Sequence, residues 1–172
     1  MKTIDNVDHF LVEDLQKTLH KGSRLYWIGN CFSLSMFEAL KPQLETCHSL
    51  EFIFPEKINI LEEEAFPALQ QPRSLLEKRG LLIDCLRWIR EKARFKVNPG
   101  LKGQGDSLWI CNKHHMVSYT DKADFTASPA SILRQKLPYD KTYLTHFQNL
   151  WTDTEYTEDV TDEVMERIMK LW

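Results

Sequence analysis

An α/β fold with a mixed sheet, helices packed on both faces, is what this chain predicts, on three observations. Helix-type and strand-type patterns alternate through its first third, the order that α/β crossovers require. The run Leu25-Tyr26-Trp27-Ile28-Gly29 is apolar without alternation, as a strand buried on both sides of a sheet is. Leu108 to Cys111 and Met116 to Tyr119 are two strand-length apolar runs interrupted by Asn112 and Lys113, which reads as a hairpin.

A length of 172 residues fits one domain with a substantial core. The hydrophobic fraction of 42% and charged fraction of 27% are those of an ordinary globular protein. No apolar run approaches the ~18 residues of a membrane span. The start, MKTIDNVDHF, carries charges where a signal peptide needs an apolar centre, so a cytoplasmic protein with no membrane partner is expected. Cys31, Cys47, Cys85 and Cys111 are far apart and form no C-x-x-C pair. Two disulfides are arithmetically open to them, but reduced, buried thiols suit that compartment better.

In order, Asp8 or a neighbour caps a helix through about Lys21, with Leu11, Leu15 and Leu19 on one face. Gly22 ends it. The strand at Leu25 runs into a polar turn, Asn30 to Ser35, and a helix carrying Phe37, Leu40 and Leu44. Pro42 should kink or shorten that helix. Leu50 to Phe54 is the next strand and Pro55 stops it. From Glu56 to Lys78 the pattern loosens: Glu62, Glu63 and Glu64 run together, Pro67 and Pro72 break any long helix, and only Ile58 to Leu61 suggests a strand.

Gly80 opens the best helical pattern, with Leu82, Leu86, Ile89 and Ala93 on one face. Arg94 to Val97 alternates as a half-buried strand does, and Asn98-Pro99-Gly100 is a turn. After the hairpin, Ser128 can cap and Pro129 can start a short helix over Ile132 and Leu133, ending before Pro138. Tyr143, Phe147, Leu150 and Trp151 mark an aromatic helix face from about Asp140. Thr161 caps a last amphipathic helix, with Asp162 and Glu163 in its first turn where the helix dipole favours acids.

Net charge is −3, which argues against a generally basic coat. Its distribution is uneven: bases outnumber acids between Arg73 and Lys102, and only acids occur from Asp153 to Glu166. The contrast suits either a phosphate-facing middle and a partner-facing end, or two solvated helix faces.

Two motifs carry a family resemblance. Ala123-Asp124-Phe125-Thr126-Ala127-Ser128 is similar to the Ser/Ala-Asn-Phe/Leu-Thr-x-Ser run of phospholipase D-like domains, and Gly105-Asp106-Ser107 stands where that family has His-x-Lys. An Asp8-His9 pair, a helix, and a strand running into Phe32-Ser33-Leu34-Ser35 resemble the opening of such domains at the front of bacterial Swi/Snf-type or restriction-associated helicases. Phe147, Leu150 and Trp151 resemble the Phe-x-x-Leu-Trp segment that ends them. The resemblance implies a phospholipase D-like domain over residues 1–152, with residues 153–172 a C-terminal helix leading toward a downstream region.

In that family a His attacks phosphorus, a second His protonates the leaving oxygen, and Lys and Asn hold the phosphoryl oxygens without a metal. Two His-x-Lys copies are needed, in one chain or across a homodimer. Here Gly105 cannot attack phosphorus, Ser107 supplies no fixed charge, and Asp124 puts a carboxylate where Asn is usual. The expectation is therefore a non-catalytic domain with no cofactor. It would hold DNA through Arg94, Lys96, Lys113 and Lys122, or dock onto the ATP-hydrolysing motor of the same protein. A dimeric nuclease with unorthodox residues and a stand-alone interaction module are the competing readings. His114 and His115 follow the hairpin turn, and adjacent strand residues point to opposite faces, so at most one could serve such a nuclease. No H-x-H, H-E-x-x-H or clustered Cys/His spacing indicates a metal. Gly100, Gly103 and Gly105 lack the Walker signature and precede a strand, so they form no nucleotide site.

Overall fold

The computed structural model describes residues 2–61, 74–127 and 129–171. The expectations for Glu62–Glu64, Pro67, Pro72 and Ser128 lie outside these. The first half comprises β1 (Lys2–Ile4), α1 (Leu11–Thr18), β2 (Arg24–Ile28), β3 (Phe32–Ser33), α2 (Leu34–Thr46), β4 (Ser49–Phe54) and β5 (Ile60–Leu61). There follow α3 (Leu75–Lys92), β6 (Ala93–Val97), β7 (Ser107–Cys111), β8 (His115–Thr120), β9 (Ile132–Pro138), α4 (Thr145–Thr152), β10 (Glu158–Asp159) and α5 (Thr161–Met169).

Among the described residues, eight strands form one mixed sheet in the order β1-β9-β8-β7-β2-β4-β6-β10. β2, β4 and β6 are parallel, with α2 and α3 as their crossovers. They finish at Ile28, Phe54 and Val97, and this is the carboxyl end of the sheet. β7, β8, β9 and β1 continue it as antiparallel neighbours, and β10 closes the far edge against β6. β3 and β5 pair separately.

Side-chain alternation divides the core in two. Leu25, Trp27, Phe52, Phe95, Leu108, Ile110 and Tyr119 face α1, α2, α3 and α5. Tyr26, Ile28, Ile53, Cys111 and Met116 face Leu144 and Phe147, the latter on α4. Phe52 is the centre of the larger layer, its ring 4.7 Å from Phe54, 5.3 Å from Trp27 and 5.4 Å from Phe95. Truncating such a side chain to Ala costs on the order of 3–5 kcal/mol. All four cysteines are free and buried. No helix among the described residues is long and apolar enough to cross a membrane.

Five local expectations are corrected. α1 starts at Leu11, and Asp8 does not cap it; the Asn6 side-chain oxygen accepts the Leu11 N–H at 3.1 Å. α2 runs through Pro42 to Thr46, because Phe37, Leu40 and Leu44 on its buried face outweigh one lost backbone bond. α3 begins at Leu75, where Ser74 and Glu77 form a capping box, so Gly80 is an interior residue and not the opening one. Residues Ile132–Pro138 are a strand, not a helix. The open edge of β8 takes them as a partner, and period two puts Ile132 in the core while Arg134 reaches Asp14. Thr161 lies inside α5, and its hydroxyl oxygen accepts the Phe95 N–H at 2.9 Å rather than capping.

A polar hub ties α1 to the antiparallel half. Asp14 accepts hydrogen bonds from Tyr119 Oη, Arg134 Nε and Lys2 Nζ at 2.5, 2.8 and 2.9 Å. The segment after Thr152 shares the same body, with β10 on the sheet and Val164 and Ile168 of α5 fully buried in the larger layer.

Candidate functional site

Gly105 and Ser107 stand at the carboxyl end of the sheet. Ser107 pairs with Thr120, and the Asp121 N–H donates to the Asp106 carbonyl at 3.0 Å, carrying the β7–β8 ladder one step further. Together with Thr120, Asp121, Lys122 and Ala123 they line a hollow of about 760 Å³. The residues singled out on the hairpin and on the segment after it are thus brought together.

The place of a nucleophile is already filled. A Cβ on Gly105 would run into the Asp121 carbonyl oxygen and lie 2.6 Å from the Lys122 carbonyl carbon. Main chain lies over Gly105 more closely than any side chain permits, which is a close-approach role for glycine. Ser107 offers a hydroxyl and no fixed charge. No histidine is among the described residues that line the hollow.

Asp106, between these two, points to the opposite face and is 3% exposed. Its carboxylate accepts the Asn30 N–H and Asn30 Nδ2 at 2.8 Å each and the Phe125 N–H at 2.7 Å. Burial pushes this carboxyl up to about 7, with the Asp124 charge adding to the rise against the three donors. Cys31 lies nearby, and burial, then Asp124 and Asp106, push its thiol up to about 12. Asp124 does not line the hollow; it accepts the Thr126 N–H at 2.9 Å and its hydroxyl at 2.8 Å. Asn6 fixes the same loop from the other side at a φ of 58°, donating to the Phe125 and Ala127 carbonyls at 2.7 and 3.0 Å. Left-handed backbone is tolerable for Asn because its short amide bonds locally.

The four basic residues singled out above do not form one patch. Arg94 and Lys96 share the α4 face of β6; Lys96 donates to the Trp151 carbonyl at 2.7 Å and sits 4.4 Å from its ring centroid. Lys122 is on the rim of the hollow. Lys113 is at the β7–β8 turn, the opposite end of those strands. His114 and His115 are there too, about 20 Å from Gly105 at a strand rise of ~3.3 Å per residue. Among the described residues no group of three or more His, Cys, Asp or Glu is placed to hold a metal.

Sequence reasoning passed over Asp106, Asn6 and Asn30. A lone Asp between two apolar runs and an Asn ahead of a helix are weak signals, since turns use both residues freely. Only the fold reveals that they meet.

No protein-family model and no curated protein matches this chain. Among solved structures, a phosphatidylserine synthase of Haemophilus influenzae Rd KW20 is similar over 98% of the chain, at 14% identity and a TM-score of 0.46. The chain spans 42% of that protein's length. At such a score the likeness assigns neither a family nor an activity.

Proposed function

We propose that this chain is a phospholipase D-like domain without phosphoryl-transfer chemistry, which holds nucleic acid as an accessory to an ATP-dependent DNA helicase motor elsewhere in a longer protein. The observation that carries the reading is the main chain of Asp121 and Lys122 packed onto Gly105. An attacking imidazole needs a β-carbon at that position, and the space is occupied. The Asp121 carboxylate on the rim of the same hollow disfavours a phosphate further. Holding without cutting is what remains, through exposed cations such as Arg94, Lys113 and Lys122, and ATP hydrolysis belongs to the motor.

The test is a chromogenic phosphodiester, bis-p-nitrophenyl phosphate, incubated with the chain in EDTA, beside anisotropy of a labelled oligonucleotide. Binding that weakens steeply with salt and no hydrolysis is the expected result, because phosphate contacts release counterions. Metal-independent hydrolysis abolished by changing His114 or His115 would overturn it in favour of a nuclease.

A further inference from the structure

The end of the sheet opposite the family positions holds a second hollow, of about 340 Å³, lined by Lys21, Arg24, Lys113 and Tyr139 over Cys111 and Asn112. We infer that this hollow is where the protein grips the phosphodiester backbone of a nucleic acid, an inference that rests on the docking function proposed above and gives it a place.

The turns that carry the cations are fixed by hydrogen bonds. Lys21 and Arg24 flank the turn from α1 into β2, where Gly22 has a φ of 84° and its N–H donates to the Thr46 carbonyl at 2.8 Å. Lys113 is on the β7–β8 turn, closed by the Asn112 N–H on the His115 carbonyl at 2.9 Å. Two buried side chains join the turns: Ser23 Oγ donates to Asn112 Oδ1, and Asn112 Nδ2 donates to the Thr18 carbonyl at 3.3 Å. Turns fixed in this way have less backbone freedom to lose when an anion arrives.

Their charge is only weakly offset, Glu51 attracting Arg24 from the neighbouring strand. Among the described residues none of the three makes an ion pair. Two acids lie near: Asp140, whose exposed carboxylate accepts the Thr142 N–H at 2.9 Å, and Glu51, half-buried with its carboxyl raised by burial against the pull of Lys96 and Arg24. At the same turn, burial first and then Lys136 lower the proton affinity of His115.

Nucleic acid fits this end better than a lipid surface. Its exposed large apolar residues are the phenols Tyr139 and Tyr143, 48% and 42% exposed, which can stack on bases. A membrane-binding face adds inserting Leu, Phe or Trp, and none is exposed at this end among the described residues.

The deciding measurement is anisotropy of a labelled single strand and a duplex against salt, using the whole chain. Arg24→Glu with Lys113→Glu should weaken binding at least about tenfold and reduce the salt slope by about 2. Arg24→Lys with Lys113→Arg should stay close to wild type, as should Lys102→Glu at the carboxyl end. Should the double reversal lower the thermal midpoint, Lys21→Glu reads the same slope from an exposed position. Wild-type binding that ignores these reversals would overturn the site and leave the docking function standing. No binding of either strand form, even at low salt, would overturn the docking function itself. Tighter binding to phosphatidylserine vesicles than to the oligonucleotide, lost in the same variants, would overturn the ligand class.

Discussion

The two ends of the sheet differ in what their loops are built to do. At the carboxyl end, Asn6, Asn30 and Asp106 consume the backbone donors and acceptors of the crossing loops, and main chain fills the space beside Gly105. At the other end, buried Ser23 and Asn112 tie two turns together and leave Lys21, Arg24 and Lys113 without ion-pair partners among the described residues. One end spends its polar groups inward and the other presents them outward. Resemblance of motif directs attention to the first, and physical chemistry directs it to the second.

Gly105→Ala should break the contrast most severely. The new methyl has to displace the backbone of Asp121 and Lys122, at a cost of about 3 kcal/mol or more, read as a shift in urea midpoint. A variant as stable as wild type would mean the space beside Gly105 is free after all. Next comes Asp106→Asn, expected to cost about 2 kcal/mol, because an amide cannot accept from Asn30 and Phe125 together.

The same variant has a pH signature. A carboxyl raised to about 7 in the folded protein keeps its proton where the unfolded chain has lost it. Its contribution to stability is full below the ordinary carboxylate range, declines as pH rises toward 7, and is level above. Asp106→Asn should remove that slope, and an unchanged slope would assign it elsewhere. Asp14 works the opposite way, since hydrogen bonds from Tyr119 and Lys2 hold its carboxyl low despite burial. Asp14→Ala should cost about 2 kcal/mol at neutral pH and less in acid. The smallest effect belongs to Asp124→Ala, about 0.5–1 kcal/mol from one lost turn, with oligonucleotide affinity unchanged.

Period-two and period-3.6 patterns made most of the sheet and helices legible before any coordinates. Leu25 to Ile28, Leu50 to Phe54 and the hairpin all fall where alternation or continuous apolar runs put them. The failure at Ile132 has a physical cause: seven residues with three apolar positions fit either period, and the vacant edge of β8 decides. Pro42 and Gly80 misled because propensity is a small term beside a buried helix face. The site was legible only as a slot. That Gly105 lies under the backbone just after β8 is a fact of register, and no residue type announces it.

The sheet ends at β1 on one side and β10 on the other, stubs of three and two residues. A neighbouring chain finds too little unpaired backbone there to zip itself on. Extension of the sheet by a second copy is therefore disfavoured at these two strands by their length rather than by charge.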